Sequence, residues 1–412
     1  MNIPPKMGLL SLVSLAVLSI LVWLWYAPSE NQPVIQVGVL HSLSGTMAVS
    51  EKPLVNALQL AIEEANATGG INGQKIKAVA VDCRSDPIEC AYQAERLITQ
   101  EEVQALFGCW TSACRKAVKP VVEKYQHLLF YPVQYEGMEQ SPNIIYTGAA
   151  PNQQIIPAVI WALEKLGTRI YLVGSDYVFP RMANIIIKDL LVAKDAVLVG
   201  ERYVPLGKSA ADELIADIIK QRPDVVLNTL NGDSNISFFR SLAKAGITPD
   251  KIPVLSFSIA EVELKAQDTQ MMVGHFAAWN YFQSIKSAQN QAFVQRFHAR
   301  FGQQTVLSDP MEASYIGLHL WVQAAREASS AEPASVQHTI LRQSLLAPEG
   351  VVSVDRATRH LWKMARIGKA RDNGQFEILW DSGRPLEPAP FPSYRRRDEW
   401  MQLLQSVEGV SP

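Results

Sequence analysis

The sequence lacks an excess of either charge. Its 412 residues carry 38 Lys and Arg against 40 Asp and Glu, which leaves a formal net charge of −2. Nucleic-acid-binding proteins usually show a strong basic excess or a basic stripe. The balance therefore argues against a nucleic-acid partner, and the lack of an internal repeat of about 20–50 residues excludes a solenoid.

Enzyme signatures are also missing. The sequence contains no G-x-S-x-G, H-E-x-x-H or G-x-G-x-x-G motif. Gly207-Lys208-Ser209 resembles the end of a phosphate-binding loop, but six residues rather than four separate it from the preceding glycine, Gly200. His41 is interpreted as a cleft-wall or capping residue and not as a base. We therefore expect no catalytic residue, no cofactor and no enzymatic activity.

Cysteine is rare, and its four copies lie in one stretch at positions 83, 90, 109 and 114. Four cysteines allow three complete pairings, and the sequence does not choose among them. The spacings of six and four intervening residues match neither a zinc site nor a C-x-x-C redox motif. We expect no metal, and we favour one surface disulfide with buried thiols, which suits an exported protein.

The N-terminus contains one long apolar segment. Gly8 to Ala27 is twenty residues without a charge, enough for a helix to cross a bilayer. Lys6 precedes it and no charge follows before Glu30, so the rest of the chain is predicted outside the cytoplasm, in the periplasm or at the outer face of the membrane. Trp23 and Trp25 occupy the place where a cleavage site needs small residues, which favours a membrane anchor over a cleaved signal peptide.

Strands and helices alternate along the remaining chain. The apolar run Val34–Leu40 is typical of a buried strand, and the next helix carries apolar residues at helical spacing before Gly69-Gly70. Further predicted strands are Ile76–Val81, Ala105–Phe107, Leu128–Tyr131, Ile170–Gly174, Ala196–Val204, Asp224–Asn228, Pro253–Ser256 and Gly274–Ala278. Such alternation implies right-handed crossovers and mostly parallel sheets.

The predicted fold class is α/β, with two doubly wound parallel-sheet lobes joined by a hinge. Ligands of open α/β sheets bind at the carboxyl ends of the strands, so the cleft between the lobes is the expected site. The predicted divisions are an anchor and linker (1–33), lobe 1 (34–150, with 283–350 returning to it), lobe 2 (151–282, with 351–381 returning to it) and a Pro-rich tail (382–412).

The residues that follow the predicted strands are aromatic or neutral and polar, with few charges. Trp110, Thr111 and Ser112 open a helix whose N–H groups and hydroxyls can bind a carbonyl oxygen or an anion, although the same residues also suit helix capping. The other candidate ligand-binding residues are Tyr131, Gln134, Tyr135, Tyr177, Asn231, Asp233, Glu261 and Trp279. Together they favour a small, neutral, polar ligand.

Several ordered motifs carry a family resemblance from about Val37 to Trp400. They include FGCWTSACRKAV at 107–118, LLFYPVQYEG at 128–137, GSDYVFPR at 174–181, NTLNGDSN at 228–235 and PFPSYRRRDEW at 390–400. The chain resembles the branched-chain-amino-acid/amide class of periplasmic binding proteins (type I fold), and within it the urea-binding components of urea ABC transporters. The amide-sensing regulators of amidase operons share some of these elements.

The resemblance implies an extracytoplasmic solute-binding component that binds urea or a short aliphatic amide and delivers it to ABC permease subunits. The alternatives are an amide- or urea-sensing regulatory protein and a branched-chain amino-acid binding protein of the same fold. Cys114 departs from the family pattern, which more commonly has serine there. For urea, Thr111 and Ser112 are the expected donors, and Gln134, Asp233 and Glu261 the expected acceptors, with the carboxylates ionised at neutral pH unless burial raises their pKa.

Overall fold

The computed structural model describes residues 34–209, 212–266 and 268–408. These residues form a five-stranded sheet, a seven-stranded sheet and a small three-stranded sheet, with helices between the strands. The predicted α/β class is therefore confirmed. Within the described ranges no helix is long and apolar enough to span a bilayer. The anchor predicted at Gly8 to Ala27 lies outside the described residues.

The first sheet is entirely parallel, with strand order β2-β1-β3-β4-β5. Its strands are β1 (Ile35–His41), β2 (Ile76–Asp82), β3 (Leu106–Gly108), β4 (Leu129–Tyr131) and β5 (Ile144–Tyr146), and its helices are α1 (Ala48–Ala67), α2 (Pro87–Thr99) and α3 (Ser112–Lys124). The first four strands lie within one residue of the predicted bounds. β5 was not predicted, since it has only three residues and no helix precedes it.

The second sheet has the order β15-β14-β10-β9-β8-β6-β7. Its strands are β6 (Arg169–Ser175), β7 (Val197–Val204), β8 (Val225–Thr229), β9 (Val254–Ser256), β10 (Phe276–Trp279), β14 (Arg366–Ala370) and β15 (Phe376–Asp381). Its helices are α4 (Ile155–Lys165), α5 (Val178–Ala193), α6 (Asp212–Gln221), α7 (Ser234–Lys244) and α8 (Glu261–Ala266), with 3-10 turns at Pro151–Gln153 and Thr269–Met271. β14 and β15 are antiparallel and come last in the chain.

After β10 the chain returns to the first sheet. The returning elements are α9 (Ala288–Phe301), α10 (Asp309–Ala328), α11 (Pro333–Thr339), a 3-10 turn (Ile340–Arg342) and the small sheet of β11 (Ser344–Ala347), β12 (Gly350–Val354) and β13 (Leu361–Trp362). Val352 and Leu361 belong to the same hydrophobic core as Phe107 and Trp321. Residues 351–361, which the sequence assigned to lobe 2, thus contribute to the core of lobe 1.

The tail ends in α12 (Arg397–Glu408) and lies against lobe 2. Trp400 is fully buried, and its Nε1 donates to the carbonyl of Pro392 at 2.7 Å. Arg395 forms an ion pair with Asp189 of α5 at 2.6 Å. The tail is therefore an ordered part of lobe 2.

The structure corrects the expectation of one surface disulfide with buried thiols. Two disulfides are present, Cys83–Cys90 and Cys109–Cys114, and no cysteine of the described chain is free. All four residues are buried, with exposed fractions of 0–6%. They meet because β2 and β3 both pair with β1, which brings the segments after those strands together.

Gly108 permits close approach of β3 to β1. A Cβ at this position would lie 2.0 Å from the carbonyl oxygen of Leu40. We expect Gly108→Ala to lower the free energy of unfolding by about 1–3 kcal/mol, the usual range for overpacking. Unfolding titrations with guanidinium chloride instead of urea measure this loss.

Gly317→Ala is the matched control, because Gly317 lies inside α10 and the nearest atom to its added Cβ would be Thr147 Cγ2 at 3.4 Å, an ordinary contact distance. Alanine is the better helix former by about 1 kcal/mol, so this variant should be as stable as the parent or slightly more stable. Equal stability of Gly108→Ala and the parent would show that β3 does not approach β1 as described.

Candidate functional site

The ends of β3 and β4 are joined beside the cleft. Trp110 is 3% exposed, and its carbonyl accepts a hydrogen bond from the hydroxyl of Tyr131 at 2.6 Å. Thr111 is the N-cap of α3, and its hydroxyl accepts the N–H of Cys114 at 3.1 Å. The capping role weighed for Thr111 is therefore present, and it holds the N-terminus of α3 next to Trp110.

Trp110 and Tyr131 form a wall at the edge of the cleft, and a buried guanidinium lies directly beneath this wall. Arg115 has no exposed surface, and its nitrogens donate to Glu139 at 2.9 Å, to Glu136 at 3.0 Å and to the hydroxyl of Ser112 at 3.0 Å. Ser112 in turn donates to Glu136. Because these groups satisfy one another, the charge of Arg115 is neutralised where it lies.

The electrostatics agree with this geometry. Burial opposes ionisation of Glu139, but Arg115 and the nearby Lys116 outweigh burial and lower the pKa of its carboxyl to about 2. Burial raises the pKa of Tyr131 and Tyr177 above the ordinary tyrosine value. The tyrosines of the wall are therefore neutral hydrogen-bonding groups at physiological pH.

Residues of the second lobe face this wall across the cleft. Asn231 Oδ1 accepts from Trp110 Nε1 at 3.4 Å, and the Asn231 N–H donates to Ser175 Oγ at 3.0 Å. Gln134 Nε2 donates to the carbonyl of Phe257 at 2.8 Å. The bonds from Trp110 to Asn231 and from Gln134 to Phe257 join residues of the two lobes, so the structure shows the lobes in contact.

Some buried polar atoms along the same seam have no hydrogen-bond partner in the described chain. They are Gln134 Oε1, Thr46 Oγ1, Ser234 Oγ and His41 Nε2. A buried polar atom without a partner costs about 1–3 kcal/mol. Gln134 Oε1 and Asn231 Oδ1 are acceptors suited to N–H donors.

Of four further predicted residues, three (Tyr135, Trp279 and Glu261) are buried among neighbouring side chains and one (Asp233) is open to solvent. Tyr135 stacks on Tyr146, and its hydroxyl is 2.6 Å from His360 Nε2. Trp279 is in the core of lobe 2 and donates to the carbonyl of Ile259 at 2.7 Å. Asp233 is exposed. Their participation in binding, like that of Glu261, stays a prediction.

The family follows from comparison with known proteins. The model of the periplasmic binding protein domain matches residues 35–397. The chain belongs to this family. Leu/Ile/Val-binding protein homolog 6 of Brucella melitensis biotype 1 is 22% identical over 391 residues, covering 91% of this chain and 98% of that protein. Limonene hydroxylase of Geobacillus stearothermophilus is 32% identical over 140 residues, which cover 32% of this chain and only 26% of that protein.

The fold also matches a solved periplasmic binding structure. A solute-binding protein of an ABC transporter from Rhodopseudomonas palustris BisB5, crystallised with 3,4-dihydroxybenzoic acid, superposes with a TM-score of 0.78 and 22% identity, covering 86% of this chain and 99% of that chain. The type I periplasmic binding fold expected from the sequence is confirmed.

Two residues that organise this periplasmic binding protein's cleft were not predicted as site residues. Arg115 is one of them. Helical spacing places it on the same buried face of α3 as Val118 and Val122, so its burial could have been predicted from the sequence. Ser175, at the end of β6, is the other, and its hydroxyl holds Asn231. The apolar pattern marks a buried face but does not reveal which buried polar groups meet there.

Burial favours the protonated form of Glu261 at neutral pH. Burial, with Glu263 and Asp309 nearby, raises the pKa of its carboxyl to about 8, although the N–H of Gln283 donates to Oε1 at 2.8 Å. Its Oε2 has no partner among the described residues. The expectation of ionised carboxylates made an exception for burial, and that exception applies to Glu261.

The raised pKa of Glu261 makes the stability of the folded protein fall as the pH rises, and stability measurements can test this direction. The folded protein keeps the Glu261 proton between pH 4.5 and about 8, whereas the unfolded chain loses it near 4.5. The associated stability is complete below pH 4.5 and is lost as the pH rises through 8. Glu261→Gln removes this loss, so its stability relative to the parent should rise by about 2–4 kcal/mol between pH 5 and pH 8, at 1.36 kcal/mol per pKa unit.

Denaturant titrations at several pH values provide the measurement. Glu213→Gln, on the exposed side of α6, is the control for loss of one negative charge. A constant stability difference between Glu261→Gln and the parent across this range would mean that Glu261 is ionised when buried.

Proposed function

We propose that this protein is the extracytoplasmic solute-binding component of an ABC importer, that it binds urea or a short aliphatic amide in the interlobe cleft, and that it delivers the ligand to the permease subunits. The proposed location is the periplasm or the outer face of the cytoplasmic membrane. The observation that carries the choice of ligand is a buried aromatic and amide wall whose neighbouring cation, Arg115, is already neutralised by Glu136 and Glu139.

A neutral ligand follows from this charge arrangement. A carboxylate ligand needs a cation or several free donors, and removing Arg115 from its two carboxylates would leave buried charges unpaired, at about 3–5 kcal/mol. None of the eleven predicted site residues is cationic. The cleft therefore favours a ligand without a carboxylate.

An amino-acid ligand also needs a partner for its ammonium group. Glu261, the buried acid among the predicted site residues, favours its protonated form at neutral pH because burial raises its pKa to about 8. Asp233 is exposed and makes no capping bond at the start of α7. The protonation of Glu261 favours an amide over an amino acid, whereas the exposed carboxylate of Asp233 is compatible with either ligand.

Urea complements the neutral groups that remain. Its carbonyl oxygen can accept from the N-terminal N–H groups of α3, where the helix dipole is positive. Its amino groups can donate to Gln134 Oε1, which is buried and unpartnered, and to Asn231 Oδ1. Trp110, Tyr131 and Tyr177 supply flat surfaces that exclude water.

Calorimetric titration with urea, acetamide, leucine and 3,4-dihydroxybenzoate tests the proposal. We expect a heat of binding when urea or acetamide is added. Small-angle X-ray scattering should show a smaller radius of gyration at saturation, because only the closed lobes contact the ligand from both sides. Binding of leucine or the benzoate with no response to either amide would overturn the choice of ligand and leave the family unchanged.

Trp110 should be the main contact surface. Trp110→Ala removes a buried aromatic wall and should weaken amide binding by about 1–3 kcal/mol, the scale of a buried anchor. Trp110→Phe keeps a ring and loses only the bond to Asn231, so its affinity should fall less than about tenfold.

Titration of both variants against the ligand found for the parent gives the result. Tyr394→Ala, in the exposed tail with 36% exposure, is the control for loss of an aromatic ring. If Trp110→Ala bound as tightly as the parent, Trp110 would be a core residue and not part of the binding surface.

A further inference from the structure

The two disulfides touch each other. Cys114 Sγ, bonded to Cys109, lies 2.8 Å from Cys90 Sγ, which is bonded to Cys83. The sulfurs of Cys83, Cys90 and Cys114 all lie within 4.8 Å of one another. Two disulfides in such contact are positioned for exchange, since a thiolate attacks a disulfide sulfur directly.

Each disulfide also holds one loop that faces the cleft. Cys83–Cys90 encloses Ser85, whose Oγ accepts the N–H of Met47 at 3.0 Å and donates to the carbonyl of Ser44 at 3.0 Å. This anchors the loop after β1.

The anchored loop reaches the second lobe. A Cβ on Gly207 or Gly232, both of lobe 2, would lie 3.1 Å from Thr46 Oγ1. The other disulfide, Cys109–Cys114, encloses Trp110 and Thr111. Both cleft-facing loops of lobe 1 are thus tied to the same group of sulfurs.

We propose that the four cysteines form a single thiol–disulfide exchange site, whose reaction partner is a dithiol, either a small molecule or a protein. The dithiol gives two electrons to Cys83–Cys90 and becomes a disulfide itself, leaving thiols at Cys83 and Cys90. The Cys90 thiolate then attacks Cys114 Sγ. The Cys90–Cys114 bond forms as the Cys109–Cys114 bond breaks, and Cys109 leaves as a thiolate that is protonated by water.

The first step begins at the exposed side of the site. Ile88, between Cys83 and Cys90, is 81% exposed, and Arg84 and Asp86 are exposed beside it. Local opening of this short surface segment gives a dithiol access to the buried disulfide. The second step transfers the change to Cys109, directly before Trp110, and so releases the loop that forms the wall of the cleft.

A pair of matched variants separates exchange from simple loss of a disulfide. Cys83→Ser and Cys90→Ser both remove the Cys83–Cys90 bond and both leave three cysteines. In Cys83→Ser the remaining thiol, Cys90, touches Cys114. We expect it to form Cys90–Cys114 and to free Cys109, whereas Cys90→Ser should keep Cys109–Cys114 and a free Cys83.

Alkylation under acid quench, tryptic digestion and mass spectrometry distinguish the products. Cleavage after Arg84, Arg96 and Arg115 places Cys90 in peptide 85–96 and both Cys109 and Cys114 in peptide 97–115. Exchange therefore links these two peptides. Alkylation of Cys109 should be at least about tenfold greater in Cys83→Ser than in Cys90→Ser.

The unmodified protein gives a second measurement that needs no variant to fold. One equivalent of dithiothreitol should yield the same linked peptides with alkylated Cys83 and Cys109. Products with an intact Cys109–Cys114 bond, together with alkylation of Cys90 alone in Cys83→Ser, would overturn the proposal. Neither measurement uses a cleft ligand, so the result is independent of the proposed function.

Discussion

The arrangement of the two lobes depends on how the chain passes between them. Asn280, on the crossing after β10, donates through Nδ2 to the carbonyl of Gln153 at 2.9 Å and to that of Met364 at 2.6 Å. Gln153 and Met364 belong to the other two crossings, near 147–154 and 362–366. Asp309 accepts the N–H of Asn280 at 2.9 Å. One side chain thus ties all three crossings at a single buried polar point.

A second buried polar group determines the character of the cleft. The guanidinium of Arg115 lies 4.9 Å from the ring centroid of Tyr131 and 4.5 Å from that of Tyr135, in addition to its bonds with Glu136 and Glu139. It therefore supports the aromatic wall mechanically while its charge is cancelled within the lobe. A cleft built over a cancelled charge can be polar in its contacts and still favour a neutral ligand.

Periodicity predicted the fold well because each strand is a short apolar run between turn residues. It missed β5, which is buried but has only three residues, and the small sheet of β11–β13, whose strands have two to five residues and few buried positions. At the site, placement after a strand correctly suggested that Trp110, Tyr131 and Asn231 come together. Trp279 also follows a strand, but its side chain packs in the core of lobe 2, and its part in binding stays a prediction. Cysteine pairing was open for a similar reason, since it depends on which strands are neighbours.

The protein's own contacts between the lobes stabilise the closed arrangement only weakly. The side-chain bonds described across the seam include Trp110 to Asn231 at 3.4 Å, Gln134 to the carbonyl of Phe257 at 2.8 Å and Ser50 to Glu263 at 2.7 Å. A hydrogen bond contributes a net free energy of only about 0.5–1.5 kcal/mol, and each lobe exchanges water for these contacts on closing. With only a few such bonds, the free-energy difference between the open and closed lobes is small, so ligand binding can change the population of the closed state. Because a ligand shifts the equilibrium only by its differential affinity, a molecule as small as the proposed ligand urea would need partners on both lobes to have this effect. The acceptors proposed for it, Gln134 and Asn231, lie one on each lobe.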